Sequence, residues 1–304
     1  LKNLFTFAVF FWAVAMFESS YGKENNYEYT LTWRNAGEHI FDITLVTLAQ
    51  PGKYTDFLIP AWRPGRYILQ NYAASVFEFR AQDEKGKALP WEKINKDTWR
   101  VWNEAQGETI KIEYRFYAGM PIDAGTSYLN ETMVYFNGVN LFMHKAGELD
   151  LPCSLTLPNL PLHWKAATAL AKTSQFNRFT AKSYHELVDS PSIFSPNLTQ
   201  FSFTLDGLKA FIHFYGKYEA PPGAEKTLIA NVTKIIKEQK AIFGEFIAPE
   251  HHFIYLLSPS RIRHAVEHTA SSMYVLPESV AASEKGFEGL YSITSHEFWH
   301  TWNV

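Results

Sequence analysis

From Tyr27 to about Gly216 the chain is written in short runs of period two. "YEYTLTW", "HIFDITLVTL", "TWRVWN", "ETIKIEYRFYAG" and "FSFTLDG" are rich in Ile, Val, Thr, Phe, Tyr and Trp, residues that suit a pleated, half-buried surface. Turn sequences separate them, among them "AQPGK", "DEKGK" and "AGMP". No helical period intervenes, so this stretch predicts an antiparallel sandwich. The period then changes. After "GKYEAPPGAEK", Leu228, Ile229, Val232, Ile235, Ile236, Ile242 and Phe243 recur at steps of three and four between Lys, Glu, Gln and Thr. That predicts an amphipathic helix from Ala224 to about Gly244. "HHFIYLL" (251–257) then reads as a strand and roughly 290–302 as a second helix. The fold class is therefore α+β. A signal segment (1–22) and an N-terminal antiparallel β-sandwich-like domain (23–216) precede an α/β or α+β region (217–304).

At 304 residues and 46% hydrophobic content, the chain is long enough for a large core. With a net charge of −3 and no basic patch or tail, nothing favours nucleic acid as a partner. Lys2 followed by the apolar run Leu4–Phe17 matches the h-region of a signal peptide, with cleavage expected near Gly22. A buried first element and an uncleaved anchor are the alternatives, and a membrane partner is expected only in the uncleaved case. The reading implies export, to a periplasm or the exterior. The one cysteine, Cys153, forms no disulfide within the chain and lacks a neighbouring cation, so it reads as a buried thiol.

The chemistry is concentrated in "SHEFWHTWNV" (295–304). On a helix, His296 and His300 stand at i and i+4, with both imidazoles on one face at a spacing that suits two corners of a zinc tetrahedron. Glu297, beside the first His, reaches toward the position of a water and serves as general base. Catalytic zinc takes three protein ligands. Metzincins would place Gly where Asn303 stands, which argues against that class, and a later Glu or Asp is expected as the third ligand. No upstream His has a spacing that singles it out. Glu267 and His268 form a second polar pair about thirty residues earlier. Taken alone, Glu267 reads as a solvated loop carboxylate; an acidic side chain beside a zinc cleft would instead meet the charged α-amine of a peptide.

Four segments in order carry a family resemblance: "LIPAWRPGRYILQNYAASV", "SYLNETMVYFNGVNLFM", "HAVEHTASS" and "HEFWHTWNV". Together they resemble the glycyl-aminopeptidase-like zinc metallopeptidases, family sixty-one, a gluzincin group that usually carries a PDZ domain. The resemblance implies a β-domain followed by the start of a thermolysin-like catalytic domain. It implies one zinc ion on His296 and His300, with Glu297 as base and Glu267, with His268, at the substrate's amino terminus. The substrate would be a peptide with a free N-terminus. The third ligand, the transition-state tyrosine and the PDZ domain would lie past residue 304. His264 stands where relatives carry Gly, which argues against an inherited preference for N-terminal Gly or Ala.

The chain is accordingly expected to be the N-terminal half of a longer zinc aminopeptidase and inactive alone. The rival reading is a non-catalytic β-sandwich binding module with a vestigial catalytic start. If the chain ended at Val304, Phe298, Trp299 and Trp302 would be expected to form an exposed apolar patch. Among smaller features, Trp62, Pro64, Gly65 and Tyr67 shape a turn, and Arg63 and Arg66 read as solvated rather than facing the cleft. "VYFNGVNLF" reads as a hairpin bending at Asn137-Gly138.

Overall fold

The computed structural model describes residues 24–66, 68–103, 107–283 and 285–303. The expected signal segment (1–22) and Tyr67 lie outside the described residues.

The period-two runs form a seven-stranded sheet in the order Ala171–Lys172, Arg178–Ala181, Cys153–Thr156, Tyr27–Thr32, Ile40–Leu48, Thr109–Tyr117, Val76–Asp83. All its pairings are antiparallel except that of Tyr27–Thr32 with Cys153–Thr156. Alternation sends Tyr27, Tyr29, Leu31, Phe41, Ile43 and Leu45 inward. They share one core with Phe57, Trp99 and Val101 from a four-stranded sheet (His144–Lys145, Tyr54–Leu58, Thr98–Trp102, Trp91–Lys93). Three buried tyrosines are satisfied by consecutive carbonyls: Tyr114 donates to Leu141 (2.8 Å), Tyr184 to Phe142 (2.7 Å) and Tyr29 to Met143 (2.7 Å). Burial pushes the thiol of Cys153, 3% exposed, up to about 12, which makes it the inert thiol the sequence predicts.

The hairpin expected at Asn137-Gly138 does not form. Met133–Phe136 pairs instead with Ser192–Ser195 on one side and Tyr128–Asn130 on the other, and Gly138–Leu141 is a helical turn. The two-residue bend needs positive φ, and neither residue adopts it. Asn137 is fully buried and donates to the Ala124 carbonyl (2.8 Å). Gly138 is held for a different reason: a Cβ there would stand 3.0 Å from Val188 Cα, on the next short helix, Tyr184–Val188.

A five-stranded sheet follows, in the order Leu198–Leu205, Leu208–Tyr215, Glu250–Ser258, Ser271–Pro277, His264–Glu267. The three central strands are parallel, and His264–Glu267 runs antiparallel along the edge. The crossover is the helix Ala224–Phe243, which buries Leu228, Val232 and Ile236 on one face as its period requires and stops at Gly244. On the opposite face, Ile254, Leu256, Val266 and Met273 pack against Met133, Tyr135 and Ile193. Covered on both faces, Glu250–Ser258 is buried from His251 to Leu257.

The second helix spans Gly286–Trp299, beginning earlier and ending earlier than its sequence pattern suggests. It lies beside Ala224–Phe243, where Gln239 Nε2 donates to Ser295 O (2.7 Å) and Oγ (3.0 Å). The expected aromatic patch is not there. Phe298 is 1% exposed, edge-on to His251 and close to Phe253. Trp302 stacks on Phe243 at 4.7 Å and donates to the Glu245 carbonyl (2.8 Å), while Trp299 meets Phe243 edge-on. The earlier helix and strand supply the partners that the linear sequence conceals.

Candidate active site

His296 lies in the last turn of the Gly286–Trp299 helix, and His300 caps it with helical dihedrals (φ −62°, ψ −14°). The i,i+4 relation therefore survives the helix end, and the two Nε2 atoms stand 3.3 Å apart. Two nitrogens at zinc distances of 2.0–2.1 Å and a tetrahedral angle would be about 3.3–3.4 Å apart. His300 Nδ1 is 2.8 Å from the Asn303 carbonyl, so this nitrogen carries the proton and Nε2 keeps its lone pair. The donor set fits two corners of a zinc site. Among the described residues, no group of three or more His, Cys, Asp or Glu side chains could hold a metal.

Glu297 is 6% exposed. Its carboxyl is pushed up to about 7, first by burial and then by the charge of Glu267, against an opposing pull from His300. The two glutamates thus feel each other although thirty residues separate them.

Glu267 ends the edge strand and is 9% exposed, which overturns the solvated-loop reading. Against it lies the turn at Pro64-Gly65. Gly65 has φ +72°, and a Cβ there would stand 2.7 Å from Glu267 Oε2. Glycine is required on both counts. Gly65→Ala is expected to cost about 1–3 kcal/mol through left-handed strain and displacement of that carboxylate. Denaturant midpoints of the two chains check this, and equal midpoints refute it. Arg63 opens the same turn. It is 4% exposed, with Nη1 donating to the Pro64 carbonyl (3.0 Å) and its guanidinium packed over Gly125, where a Cβ would collide with it. The solvated reading of Arg63 is therefore wrong: the loop folds its charge inward beside the cleft.

His268 and Thr269, in the turn after Glu267, are gripped by Asp189, which caps the Tyr184–Val188 helix. Asp189 Oδ1 accepts from His268 Nδ1 (2.9 Å), and Oδ2 from Thr269 N (2.9 Å). Burial raises the Asp189 pKa, but these hydrogen bonds outweigh it and hold the group below its usual value. His268 Nε2 is shielded from solvent. No pattern in the sequence marks Asp189, because the pairing spans 79 positions. His264 turns toward a loop of the β region, where Ala124 N donates to its Nδ1 (3.1 Å) and Asp123 Oδ1 lies 3.7 Å away.

The structure thus brings His296, Glu297, His300 and Glu267 to one end of the five-stranded sheet. Their neighbours Arg63, Gly65 and Asp189 come from the β region. A family model described as Peptidase M61 N-terminal domain matches residues 28–196, more than half of the chain. The chain belongs to the M61 peptidase family. No curated protein matches this M61 sequence. Among solved structures it is similar to an aminopeptidase N family protein from Idiomarina loihiensis, with a TM-score of 0.82 at 24% identity over 91% of this chain and 48% of that one. It is also similar to an M1 zinc metallopeptidase from Deinococcus radiodurans, with a TM-score of 0.52 at 14% identity over 92% of this chain and 65% of that one. At these identities the likeness shows the fold, an aminopeptidase-N-like (gluzincin) α+β architecture. This M61 chain spans about half the length of the first relative and under two thirds of the second.

Proposed function

We propose that the chain is the N-terminal part of an exported zinc aminopeptidase whose further segments supply the third metal ligand and, as is usual in the family, a PDZ domain. The observation that carries this is the His296–His300 pair, with Nε2 atoms 3.3 Å apart at the end of a helix and a buried glutamate between them. In this reading His296 and His300 hold zinc through Nε2, and the Asn303 carbonyl keeps His300 in the binding tautomer. Bound zinc supplies Lewis acidity toward a peptide carbonyl and toward water. Glu297 takes the water's proton and passes it to the leaving amine. Glu267, with His268 behind it in the same turn, receives the peptide's ammonium group, so cleavage falls one residue from a free N-terminus. Among the described residues no helix is long and apolar enough to cross a membrane.

Two imidazoles alone hold zinc weakly. Zinc titration of the 304-residue chain, followed by calorimetry, is expected to show weak uptake that His296→Ala or His300→Ala removes. Zinc retained near one per chain through purification would contradict this, because it would require a third ligand among these residues.

A further inference from the structure

Glu267 lines a cavity of about 740 Å³. That is within the range of small-molecule pockets and far more than the hydrogen side chain of glycine fills. Its walls come from four places. Val139 belongs to the Gly138–Leu141 turn and Val188 to the Tyr184–Val188 helix. Ala169 and Ala171 line it from the loop and strand before Arg178, and Ile247 and Ala248 from the segment after Ala224–Phe243. These are methyl-bearing side chains, and the alanines let the wall recede. The shape is held from behind: the two short helices touch where a Cβ on Gly138 would meet Val188 Cα, and Asp189 pins the turn at His268 and Thr269.

Of the charged groups along the cavity, Arg63 and Asp189 are engaged as described above, and the Lys182 and His185 side chains are exposed. Glu186 accepts from Lys182 N (2.8 Å) while its own N–H donates to Oγ of Ser183 (3.2 Å), the N-cap of that helix. Glu250 is 40% exposed, 3.8 Å from His252. His264 does not line the cavity, because its ring is taken by Ala124 N and faces Asp123. The His264 side chain is thus turned aside and leaves the space open.

We infer that this cavity receives a large apolar side chain, aromatic or branched, from the residue whose ammonium group meets Glu267. The inference rests on the amine-binding reading of Glu267 and adds the substrate class: peptides beginning with Phe, Leu or a similar residue rather than Gly or Ala. A glycine or alanine would leave most of the cavity filled with water and gain nothing from its walls.

The test uses the 304-residue chain and amino-acid amides, with binding followed by NMR. Phenylalaninamide is expected to bind about 10- to 100-fold more tightly than glycinamide, the ratio that burial of one large apolar side chain provides. N-acetylation of phenylalaninamide should abolish binding, and Val188→Trp should remove most of the preference by filling the cavity. Equal affinities for glycinamide and phenylalaninamide overturn the inference, and this comparison needs no variant to fold. Lysinamide binding more tightly than phenylalaninamide also overturns it, in favour of an acidic pocket. Glu267→Gln separates the two levels. If it weakens every amide while glycinamide and phenylalaninamide remain equal, the amine reading stands and the pocket inference fails. If it leaves phenylalaninamide unchanged, the amine reading itself fails.

Discussion

In the longer protein that carries the third ligand, Glu297→Gln is expected to lower kcat/KM by about 10²- to 10⁴-fold, the range of a general base lost in place. Gln is isosteric and neutral, so it keeps the packing of a side chain that is 6% exposed but cannot accept a proton. His296 and His300 bind through their own nitrogens, so zinc content should be unchanged within error. That separation is the informative part. A substitution that empties the metal site and one that disables proton transfer both reduce activity, but only the second leaves the metal. Glu267→Gln, by contrast, should raise KM for free-amine peptides and narrow their advantage over N-acetylated ones. The measurement is steady-state hydrolysis of a free-amine peptide beside metal analysis of the same preparation. Activity within threefold of the parent would sink the mechanism, and lost zinc would mean that the substitution disturbed the helix end instead.

Local features of this site were legible in the sequence, and contacts across distant segments were not. The helix Ala224–Phe243 repeats its apolar step over five turns and ends at a glycine, so period and stop signal agree. The His296–His300 pair needs only a helical dihedral at His300 to form, which makes it a property of ten consecutive residues. Asn137-Gly138 misled because its dipeptide statistics belong to hairpins, whereas here a buried amide and a close helix contact set the backbone. Arg63 misled for a related reason. A charge in a Pro-Gly turn is normally solvated, yet this turn folds over Gly125 and against the Glu267 strand. Phe298, Trp299 and Trp302 looked partnerless because their partners, Phe253, Phe243 and the Glu245 carbonyl, lie some forty-five to sixty residues upstream. Leu198–Leu205 and Leu208–Tyr215 read simply as more of the β region, but they pair into the sheet that carries Glu267, since strand texture does not reveal which sheet a strand joins.

Acid should unfold this chain through histidines that take no part in the proposed chemistry. His213, His251 and His252 are buried on the neighbouring strands Leu208–Tyr215 and Glu250–Ser258 of the five-stranded sheet. Gln200 Nε2 donates to His213 Nδ1 (2.8 Å), which leaves His213 Nε2–H to donate to His252 Nδ1 (3.0 Å). Both rings cannot be protonated without turning one N–H against another. His251 points to the other face, 3.1 Å from Ser272 Oγ, in the field of His268 and Asp189. Burial, reinforced by neighbouring His252, lowers His213 and His251 to about 3; burial and then Lys172 lower His252 to about 4. Glu250, 3.8 Å from His252 and 40% exposed, is too solvated to compensate. In the unfolded chain these groups titrate near 6.5. The unfolded state therefore takes up protons first as pH falls. The stability is fully present above pH 6.5 and is lost as pH falls toward 3. At pH 5 each imidazole costs about 2 kcal/mol, and the three together about 6 kcal/mol, a large share of a domain's stability. Tm should drop by about 10 °C or more between pH 7.5 and pH 5. His213→Gln, which keeps a hydrogen-bonding side chain but cannot charge, should flatten that slope even if it lowers Tm at pH 7.5. A Tm that is level across this range, or a slope that His213→Gln leaves untouched, would show that these rings are not what acid attacks.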